Sequence, residues 1–576
     1  MFALENMLPP KARRVAELGC GRGEVGAAFL RRSPEADYWG FETEPERVRE
    51  AAGRLPHAVC AEPEALDFAG VGLYEADALA IGGAYLRGLT AARLRGLASI
   101  VPEQGQVLLL VPNSGYLRTV LARLAGKGGE SLALPPLSYW RELAREAGFA
   151  SCEVYPQYAP SEDRGLGESP ATQAFLKAFT DMCREAGQEV RTDIWARGWL
   201  LRLTRPALPQ NERMLLHAVV GESLVTARVR VGEPAEALCT EPGVDCIAEK
   251  NGKYNEAIDK EYGRVVFLRQ RINWKDLSQA QKSVEELRRR GHLLIAEMDD
   301  HPSLWREDYE ATQYVDFAGV HALQVSTPAL AEALRPYNPM VGVFRNELKE
   351  LPPARDYRAE AREGRPVTLF FGALNRSGEW QDIMPVLNEA ASFFGGKLAF
   401  RVISDRAFFE ALQTERKEFI TLPGKDYEGR YVPYDIYRQE LHRADIALLP
   451  LHDTEFNRGK SDLKFIESAG HGAVVLASPT VYADTVRDGR TGFIYRSPRE
   501  FAQRLRLLIE EPERRYEMAE AAYRYVRSER LLSRHYQERL VWYRELFARR
   551  PELDRALGER MARLRSHDTQ EKGKKA

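Results

Sequence analysis

The first residues of this sequence that are suited to chemistry form a glycine-rich turn near the amino terminus. In the pattern Glu-x-Gly-x-Gly-x-Gly, the acid Glu17 is followed by Gly19, Gly21 and Gly23. Glycine adopts backbone conformations that are closed to residues with a Cβ, and it lets a ligand approach the main chain. A helix predicted over residues 25–32 places its N-terminus behind the turn, where polar or anionic groups are favoured. The pattern therefore predicts a ligand-binding turn.

The strand after this helix ends in a second candidate carboxylate. The predicted strand Tyr38–Phe41 leads into Glu42, 19 residues after Gly23. An acid at this strand end can accept hydrogen bonds from both hydroxyl groups of a ribose, as in nucleotide-binding folds. A dinucleotide fingerprint would need a third glycine where Glu24 stands, so the turn departs from that pattern.

A second chemical cluster lies in the last third of the chain. A predicted buried strand over 444–451 and a polar loop over 452–460 precede Ser461, Lys464 and Glu467. Ser461 and Lys464 are predicted in the first turn of a helix, whose N-terminus is an anion site. Glu467 lies one turn later on the same face as Lys464, and it can reach the two hydroxyl groups of a ribose.

A third set of polar residues permits several interpretations. Asp299, Asp300 and His301 follow a predicted strand over 293–297 and precede Pro302. These side chains can hold the hydroxyl group of an acceptor, but Asp300 or His301 can equally cap a helix that Pro302 opens. The two carboxylates also invite a metal-binding interpretation.

Composition and charge limit the classes of function. The 576 residues carry a formal net charge of −2, and 44% are hydrophobic, which is ordinary for a globular protein. No overall field recruits nucleic acid or anionic membrane, so no nucleic-acid partner is expected. No apolar run approaches the ~18 residues of a membrane span, and the start does not resemble a secretory signal. The six cysteines form no Cys-x-x-Cys pair, which favours a cytoplasmic location.

The last segment of the sequence is basic. Residues 549–576 contain nine Lys or Arg and five Asp or Glu. We predict a solvated helix with a frayed end, and the alternative is a weak anchor to anionic lipid or glycolipid. At most peripheral membrane contact is therefore expected.

Short apolar runs alternate with longer helical patterns along the chain, which predicts parallel α/β units. The strand-sized runs are Arg14–Leu18, Tyr38–Phe41, Val107–Val111, Leu215–Val220, Arg264–Leu268, Leu293–Glu297, Ala322–Ser326, Thr368–Phe371, Ala399–Ser404, Ile446–Pro450 and Val474–Ala477. Proline and polar residues cluster at 204–211 and 348–366 and mark boundaries. The predicted units are 1–205, 211–355, 364–530, and a C-terminal helix with a basic tail over 531–576.

The N-terminal glycine turn resembles motif I of class I S-adenosylmethionine-dependent methyltransferases. The likeness extends from Val15 to about Arg205, and it is specific at the turn and supporting elsewhere. It implies a Rossmann-like domain that uses S-adenosylmethionine as its cofactor. By this resemblance Glu17 orients the methionine end of the cofactor, Glu42 binds its ribose, and Glu62 lies where the family contacts adenine.

The rest of this unit carries less information. Residues 106–113 resemble the family's fifth strand, and residues 195–203 resemble its last strand, which is antiparallel. The segment 73–79, where the family usually carries an acid and an aromatic residue, reads Leu-Tyr-Glu-Ala-Asp-Ala-Leu, and no general base can be placed in it. Because many methyl transfers to oxygen need a base, a non-catalytic binding scaffold stays open as an alternative.

The cluster around Lys464 resembles the donor site of retaining GT-B glycosyltransferases, in the subgroup whose helix opens Ser-x-Leu-Lys-x-x-Glu. By this resemblance Glu467 binds the ribose of a UDP- or GDP-linked sugar, and Lys464 faces its phosphates. One position departs from the family. Many relatives carry a Glu eight residues before the ribose acid, and here that residue is Gly459. The contact with the sugar is then either missing or supplied by Glu455 or Asp453, and the retaining outcome stays open.

Segments outside this cluster extend the resemblance. Residues 370–378 resemble the first strand and loop of the donor domain, where Arg376 would pair with the diphosphate and neutralise charge on the leaving group. The middle unit would hold the acceptor, with a closing hinge at 343–346. The implied catalytic residues are Arg376, Lys464, Asp300 and His301. The implied donor-binding residues are Gly372, Arg376, Asn457, Arg458, Ser461, Lys464 and Glu467. No metal is expected, because GT-B enzymes generally need none.

These features predict an α/β protein with an N-terminal Rossmann-like methyltransferase domain followed by the two Rossmann-like domains of a GT-B glycosyltransferase. The expected function is a bifunctional glycan-modifying enzyme, with a nucleotide sugar as donor and a glycan or glycolipid as acceptor. The alternative is a glycosyltransferase whose first domain is a binding scaffold. Modification of nucleic acid or protein is disfavoured by the near-neutral charge and the lack of a reader motif.

Overall fold

The chain forms two compact units in a computed structural model. The first unit is Met1–Arg213 with Cys239–Val244, and the second is Met214–Leu238 with Asp245–Ala576. The described residues are 3–125, 135–158, 168–186, 192–221, 224–250, 256–270, 274–357, 359, 364–373, 378–421 and 432–575.

A seven-stranded sheet in the order β3-β2-β1-β4-β5-β7-β6 forms the centre of the first unit. Its strands are β1 Arg14–Leu18, β2 Asp37–Glu42, β3 His57–Cys60, β4 Ala78–Ile81, β5 Gln106–Pro112, β6 Ser151–Tyr158 and β7 Ala196–Thr204. Strands β1 to β5 pair in parallel with one another, and β7 is antiparallel to both β5 and β6. An antiparallel strand over 195–203 was expected. Strands β3, β4 and β6 were not among the predicted runs.

Helices cover the sheet of the first unit because its strands are apolar on both faces. These helices are Leu4–Met7, Glu24–Arg32, Pro45–Ala52, Ala91–Leu97, Leu117–Leu124, Leu137–Glu146 and Pro170–Glu185. The helix behind the glycine turn begins at Glu24, one residue earlier than predicted.

The second unit contains two sheets. The middle sheet has the order β13-β12-β11-β10-β8-β9, and the C-terminal sheet has the order β16-β15-β14-β17-β18-β19. The strands of the middle sheet are β8 Met214–Val220, β9 Val244–Lys250, β10 Arg264–Gln270, β11 Leu293–Met298, β12 Ala322–Val325 and β13 Val341–Val343. Those of the C-terminal sheet are β14 Val367–Gly372, β15 Leu398–Ile403, β16 Lys417–Ile420, β17 Ile446–Leu449, β18 Val474–Ala477 and β19 Phe493–Ile494.

Strand pairing in the C-terminal sheet is parallel throughout its described pairs. In the middle sheet, β8 and β10 to β13 also pair in parallel. The α/β class with parallel sheets is therefore confirmed. In such sheets the carboxyl ends of the strands form the ligand-binding edge.

Helices connect the strands of both sheets. Around the middle sheet they are Leu224–Ala227, Glu233–Leu238, Glu256–Asp259, Leu277–Arg289, Arg306–Ala311, Val315–Ala318 and Pro328–Leu334. Around the C-terminal sheet they are Met384–Phe394, Arg406–Ala411, Tyr434–His442, Glu455–Arg458, Leu463–Gly470, Pro498–Glu510 and Pro512–Glu529. A π-helical turn, Arg228–Gly232, was not anticipated from the sequence.

The last two helices, Leu532–Ala548 and Arg550–Lys575, return to the middle sheet. Leu557 is fully buried and belongs to the core of that sheet together with Leu323 and Leu330. The Tyr543 hydroxyl donates a hydrogen bond to Gln324 Oε1 at 2.7 Å. The expectation of a solvated terminal helix is therefore wrong for its first half, because apolar residues at helical spacing pack against the sheet. Among the described residues, no helix combines the length and apolar character that crossing a membrane requires.

We expect Leu557→Ala to lower the free energy of unfolding of the second unit by about 2–5 kcal/mol, because it leaves a cavity between the terminal helix and the middle sheet. Val541→Ala is the control, since Val541 is exposed on the preceding helix. Chemical denaturation of both variants checks this. Equal, small effects would show that the terminal helix does not stabilise the sheet.

Candidate functional site

The glycine turn lies at the carboxyl edge of the first sheet, directly after β1. Gly19, Gly21 and Gly23 have φ angles of 86°, 57° and 82°, a region that favours glycine. A Cβ on Gly19 would lie 2.7 Å from the carbonyl oxygen of Gly82, so Gly19 is required by packing. At Gly21 the Cβ position has no described heavy atom within 4 Å beyond its chain neighbours. The turn is therefore closed at Gly19 and open to a ligand at Gly21.

Glu42 fastens this turn to the end of β2. Its Oε2 accepts a hydrogen bond from the Gly21 N–H at 2.9 Å, and its Oε1 accepts one from the Thr43 N–H at 2.8 Å. The Thr43 hydroxyl also donates to Oε1, at 3.2 Å. The side chain is buried, so its charge is compensated by these donors. Glu42 thus organises the backbone that the predicted cofactor would contact.

Glu17 lies one residue before the end of β1 and is enclosed in the sheet. The Tyr38 hydroxyl donates to its Oε2 at 2.8 Å. Burial raises the pKa of Glu17 to about 7, although the hydrogen bond from Tyr38 opposes the shift. Glu62, in contrast, is exposed after β3.

The structure explains why no general base was found near β4. Asp77 precedes the strand, and its carboxylate accepts hydrogen bonds from the Arg13 and Arg14 N–H groups at 2.7 and 3.0 Å. It therefore lies at the amino end of β4, away from the glycine turn. The residues after the strand are Gly-Gly-Ala-Tyr, with Tyr85 buried and its hydroxyl donating to the Ala61 carbonyl oxygen at 2.6 Å. Tyr85 was missed by sequence reasoning.

The second candidate site lies at the carboxyl edge of the C-terminal sheet, at the helix Leu463–Gly470, here named the Lys464 helix. Ser461 was expected in its first turn, but the helix begins at Leu463 with Asp462 as its N-cap. The Phe465 N–H donates to the Asp462 carbonyl oxygen at 2.9 Å, which closes the first turn. Lys464 remains in that turn, beside the helix N-terminus.

Glu467 is the most enclosed of the predicted donor-binding residues, with 1% of its surface exposed. It accepts hydrogen bonds from the hydroxyls of Tyr434 and Tyr437 at 2.7 and 3.2 Å, and from Lys464 Nζ at 3.3 Å. Lys464 Nζ also lies 4.0 Å from the ring centroid of Tyr437. The contact between Lys464 and Glu467 agrees with their spacing. The two tyrosines, which lie on the helix Tyr434–His442, were missed.

The pKa values of both tyrosines are raised well above their ordinary value, first by burial and then by the charge of Glu467. Both hydroxyls therefore stay protonated and act as hydrogen-bond donors to the carboxylate. The spacing Tyr-x-x-Tyr, which would place both residues on one face of a helix, was the available sequence signal, but their partner Glu467 lies 33 and 30 residues away in the chain.

The segment after β17 was predicted as a loop over 452–460, but it contains the short helix Glu455–Arg458, which carries two further predicted donor contacts. Asn457 is buried, and its Nδ2 donates to Glu379 Oε1 at 2.7 Å and to the His452 carbonyl oxygen at 3.0 Å. Arg458 forms a bidentate pair with Asp453 at 2.6 and 2.9 Å, and both side chains are exposed. Asn457 therefore connects the short helix to Glu379 and to the His452 carbonyl. The contact with Glu379 was missed by sequence reasoning.

An acid at position 459, which the resemblance to GT-B enzymes would favour, would crowd the residues around Gly459. A Cβ there would lie 3.0 Å from His301 Cβ and 3.1 Å from Leu330 Cδ2. Glu455, one of the two candidate replacements, lies 3.2 Å from Arg306 Nη2 and 4.0 Å from His301 Nε2. The other candidate, Asp453, is paired with Arg458.

His301 caps the 3₁₀ turn Pro302–Trp305, because its Nδ1 accepts a hydrogen bond from the Ser303 N–H at 3.3 Å. Burial lowers the pKa of His301. Asp300 Oδ1 accepts from Lys460 Nζ at 3.2 Å, so the acid does not cap the turn. Both residues face the segment that follows β17.

The remaining predicted residues lie near β14. Gly372 ends this strand, and a Cβ there would lie 2.5 Å from the ring of Phe370, so packing requires a glycine. Arg376 lies outside the described residues. Within the part of the chain that is described, no group of three or more His, Cys, Asp or Glu side chains is placed to hold a metal ion.

Residues 401–541, which include Lys464 and Glu467, match the family model described as glycosyl transferase-like. Three solved structures are also similar to the chain. HepE of Anabaena, in complex with UDP and glucose, has 11% identity and a TM-score of 0.41 over 57% of this chain and 98% of that protein.

A glycosyltransferase from Rickettsia africae has 16% identity and a TM-score of 0.38 over 58% of this chain and 98% of that protein. A UDP-forming α,α-trehalose-phosphate synthase from Burkholderia vietnamiensis has 11% identity and a TM-score of 0.38 over 57% of this chain and 99% of that protein. At these identities and TM-scores, none of the three structures shows which ligand this chain binds.

We expect the stability of the first unit to fall between about pH 4.5 and pH 7 because of Glu17. Its pKa in the folded state is about 7, above its unfolded value, so its contribution is fully present at low pH and is lost as the carboxyl ionises. Glu17→Gln should remove this dependence and stabilise the unit by about 3 kcal/mol at pH 8.

Thermal unfolding of wild type and variant at pH 4.5 and pH 8 checks this. Glu64→Gln, at an exposed position, is the control. A Glu17→Gln variant that is no more stable than wild type at pH 8 would contradict the assignment.

Proposed function

We propose that the second unit is a glycosyltransferase that moves a sugar from a nucleotide-sugar donor to a hydroxyl group of a glycan or glycolipid. The observation that carries the proposal is the pairing of Lys464 with buried Glu467 at the start of the Lys464 helix, inside the region that matches the glycosyl transferase-like model. A cation and helix N-terminus suit a diphosphate, and a fixed carboxylate suits a ribose.

The reaction forms a bond between the acceptor oxygen and the anomeric carbon, and breaks the bond from that carbon to the diphosphate oxygen. The electron pair of the broken bond remains on the diphosphate, which also takes up the proton that the acceptor hydroxyl releases. Lys464, with Arg376 as its proposed partner, stabilises this developing charge. The resemblance to retaining enzymes makes retention at the anomeric carbon the proposed outcome.

Asp300 and His301 belong to the acceptor side in this proposal. Nδ1 of His301 lies 3.3 Å from the Ser303 backbone nitrogen and 2.8 Å from the Ser303 hydroxyl oxygen, and both groups can donate to it, so we propose that the neutral ring carries its proton on Nε2. Nε2 therefore acts as a hydrogen-bond donor toward the sugar or acceptor. Asp300 is the proposed contact for the acceptor hydroxyl, and Lys460 holds its carboxylate in place.

Lys464→Met should weaken the binding of UDP or GDP by about tenfold or more, because a charge-assisted phosphate contact is lost. Uridine or guanosine should bind within about threefold of wild type, since the ribose contact at Glu467 remains. Calorimetry on the full chain measures both. Arg506→Met is the control, because Arg506 pairs with Glu510 on the surface. If wild type binds neither nucleotide, or if both ligands weaken equally, Lys464 does not face a diphosphate.

A second proposed function belongs to the first unit, which we propose binds S-adenosylmethionine at the glycine turn. The open side of Gly21 and the position of Glu42 at the end of β2 support this proposal. Methylation of the same glycan is the proposed activity of the bound cofactor. Binding without transfer of a labelled methyl group to the glycosylated product would instead favour the scaffold alternative.

Two glycine variants separate binding from folding in the first unit. Gly21→Ala should cost only roughly 1–2 kcal/mol of stability from its left-handed backbone, but its methyl group should weaken S-adenosylmethionine at least tenfold. Gly19→Ala should destabilise the unit much more, because its Cβ meets the Gly82 carbonyl. Calorimetry and thermal unfolding measure the two effects. Wild-type affinity in Gly21→Ala would place the ligand elsewhere.

A further inference from the structure

A buried polar chain links the middle sheet to the Lys464 helix within the second unit. It begins at Glu297 near the end of β11, whose Oε1 accepts a hydrogen bond from Arg230 Nε at 2.6 Å. Arg230 Nη1 donates to the Phe344 carbonyl oxygen at 2.6 Å and to Asn346 Oδ1 at 2.8 Å. Glu297 and Arg230 are each 1% exposed.

Asn346 extends this chain to the start of the Lys464 helix. Its Nδ2 donates to Ser461 Oγ at 2.7 Å. Its carbonyl oxygen accepts from Arg530 Nη2 at 2.8 Å, and Arg530 forms a bidentate pair with Asp462, the N-cap of the helix. Asn346 therefore contacts, directly or through Arg530, both residues that precede the helix.

These contacts lie where the chain crosses between the two sheets, which it does twice. The first connection runs from β13 through Asn346 to Leu348, and the second runs back through Arg530 to Leu532. The two connections form backbone hydrogen bonds with each other. The Leu348 N–H donates to the Arg530 carbonyl oxygen, and the Leu532 N–H donates to the Leu348 carbonyl oxygen, both at 2.9 Å. Both connections between the sheets thus meet at the N-terminus of the Lys464 helix.

Because these side chains are buried, each of them must keep the partners described above. A buried guanidinium must be paired, and a bidentate pair fixes direction as well as distance. Asn346 uses a donor and an acceptor of one amide at once, toward Ser461 and Arg230 respectively. An apolar residue of similar size would satisfy neither.

We propose that Asn346 is a positioning residue that sets the direction of the Lys464 helix N-terminus toward the donor diphosphate. This rests on the proposed glycosyltransferase function. Asn346 touches neither nucleoside nor sugar in this proposal. Its side chain acts through Ser461, while its backbone carbonyl oxygen holds Arg530 beside Asp462, so the side chain governs the diphosphate contact and leaves the ribose contact at Glu467 intact.

The test compares affinities for UDP and uridine, and for GDP and guanosine, by calorimetry on the full chain well below its unfolding temperature. Asn346→Ala should weaken the diphosphate about tenfold and change the nucleoside less than twofold. Asn388→Ala is the matched control. Its amide also makes two backbone hydrogen bonds beside the C-terminal sheet, to Ala411 and Gln413, but it does not contact the Lys464 helix.

Ser461→Ala and the double variant complete a cycle that isolates the contact. If Asn346 acts through Ser461, the double variant should bind the diphosphate no worse than Asn346→Ala alone. Should Asn346→Ala fail to fold, Ser461→Ala, which keeps the bond between Asn346 and Arg230, must itself selectively weaken the diphosphate.

The outcomes are distinguishable. Wild-type chain that binds neither nucleotide overturns the proposed function and this inference together. Wild-type chain that binds a diphosphate, with an unchanged ratio of diphosphate to nucleoside affinity in Asn346→Ala, overturns the positioning role alone. Additive losses in the double variant would show that Ser461 acts independently of Asn346.

Discussion

A carboxylate that leaves water must find hydrogen-bond donors, and this requirement shapes both candidate sites. Glu42 and Glu467 lie at the carboxyl edges of their sheets, and each is almost fully buried. Glu42 is satisfied by the backbone N–H groups of Gly21 and Thr43, so satisfying it also fixes the glycine turn. Glu467 is satisfied by two tyrosine hydroxyls and Lys464. In both cases the donors are held before any ligand arrives, which lowers the cost of ordering the site on binding.

The start of the Lys464 helix depends on the corresponding requirement for cations, because a buried guanidinium must be paired with a carboxylate. Arg530 is buried at its start and pairs with Asp462, while Arg230 is buried beside Glu297. Removing one member would leave a buried charge without its partner, which is far more destabilising than losing an exposed pair. The exposed pair Arg458–Asp453 therefore contributes little to the site, although its residues are close in sequence to Lys464. Burial, and not proximity in the chain, decides which ion pairs fix the geometry.

Sequence periodicity predicted most of the strands and the contacts between residues that are close in the chain. Strands such as Val474–Ala477 are continuous apolar runs, and the spacing of Lys464 and Glu467 placed both on one helix face. The predictions failed where partners are distant in the chain. Tyr434 reaches Glu467 across 33 residues, and Arg230 reaches Asn346 across 116, which no local pattern reports. The sequence also left the bounds of β4 open, and the structure shows that Asp77 lies before this strand. The prediction for the terminal helix failed for a different reason. The many charged residues of this segment suggested a solvated helix, although the face that includes Leu557 is apolar and buried.

Gly459 shows how the sugar side of the proposed transferase is assembled. A Cβ on Gly459 would lie 3.0 Å from His301 Cβ, so a side chain at this position would require His301 or Leu330 to shift by a few tenths of an ångström. Nearby, Glu455 on the short helix after β17 lies within 4 Å of Arg306 and His301, which follow β11. The polar groups of the proposed sugar site therefore follow strands of both sheets, and they stay near each other only while the sheets keep this separation. In the proposed transferase, these groups would take the place of the single acid that the resemblance implies at position 459. Specificity for the sugar would then depend on how the two sheets are held relative to each other, and the connections at Asn346 and Arg530 pair with each other between those sheets.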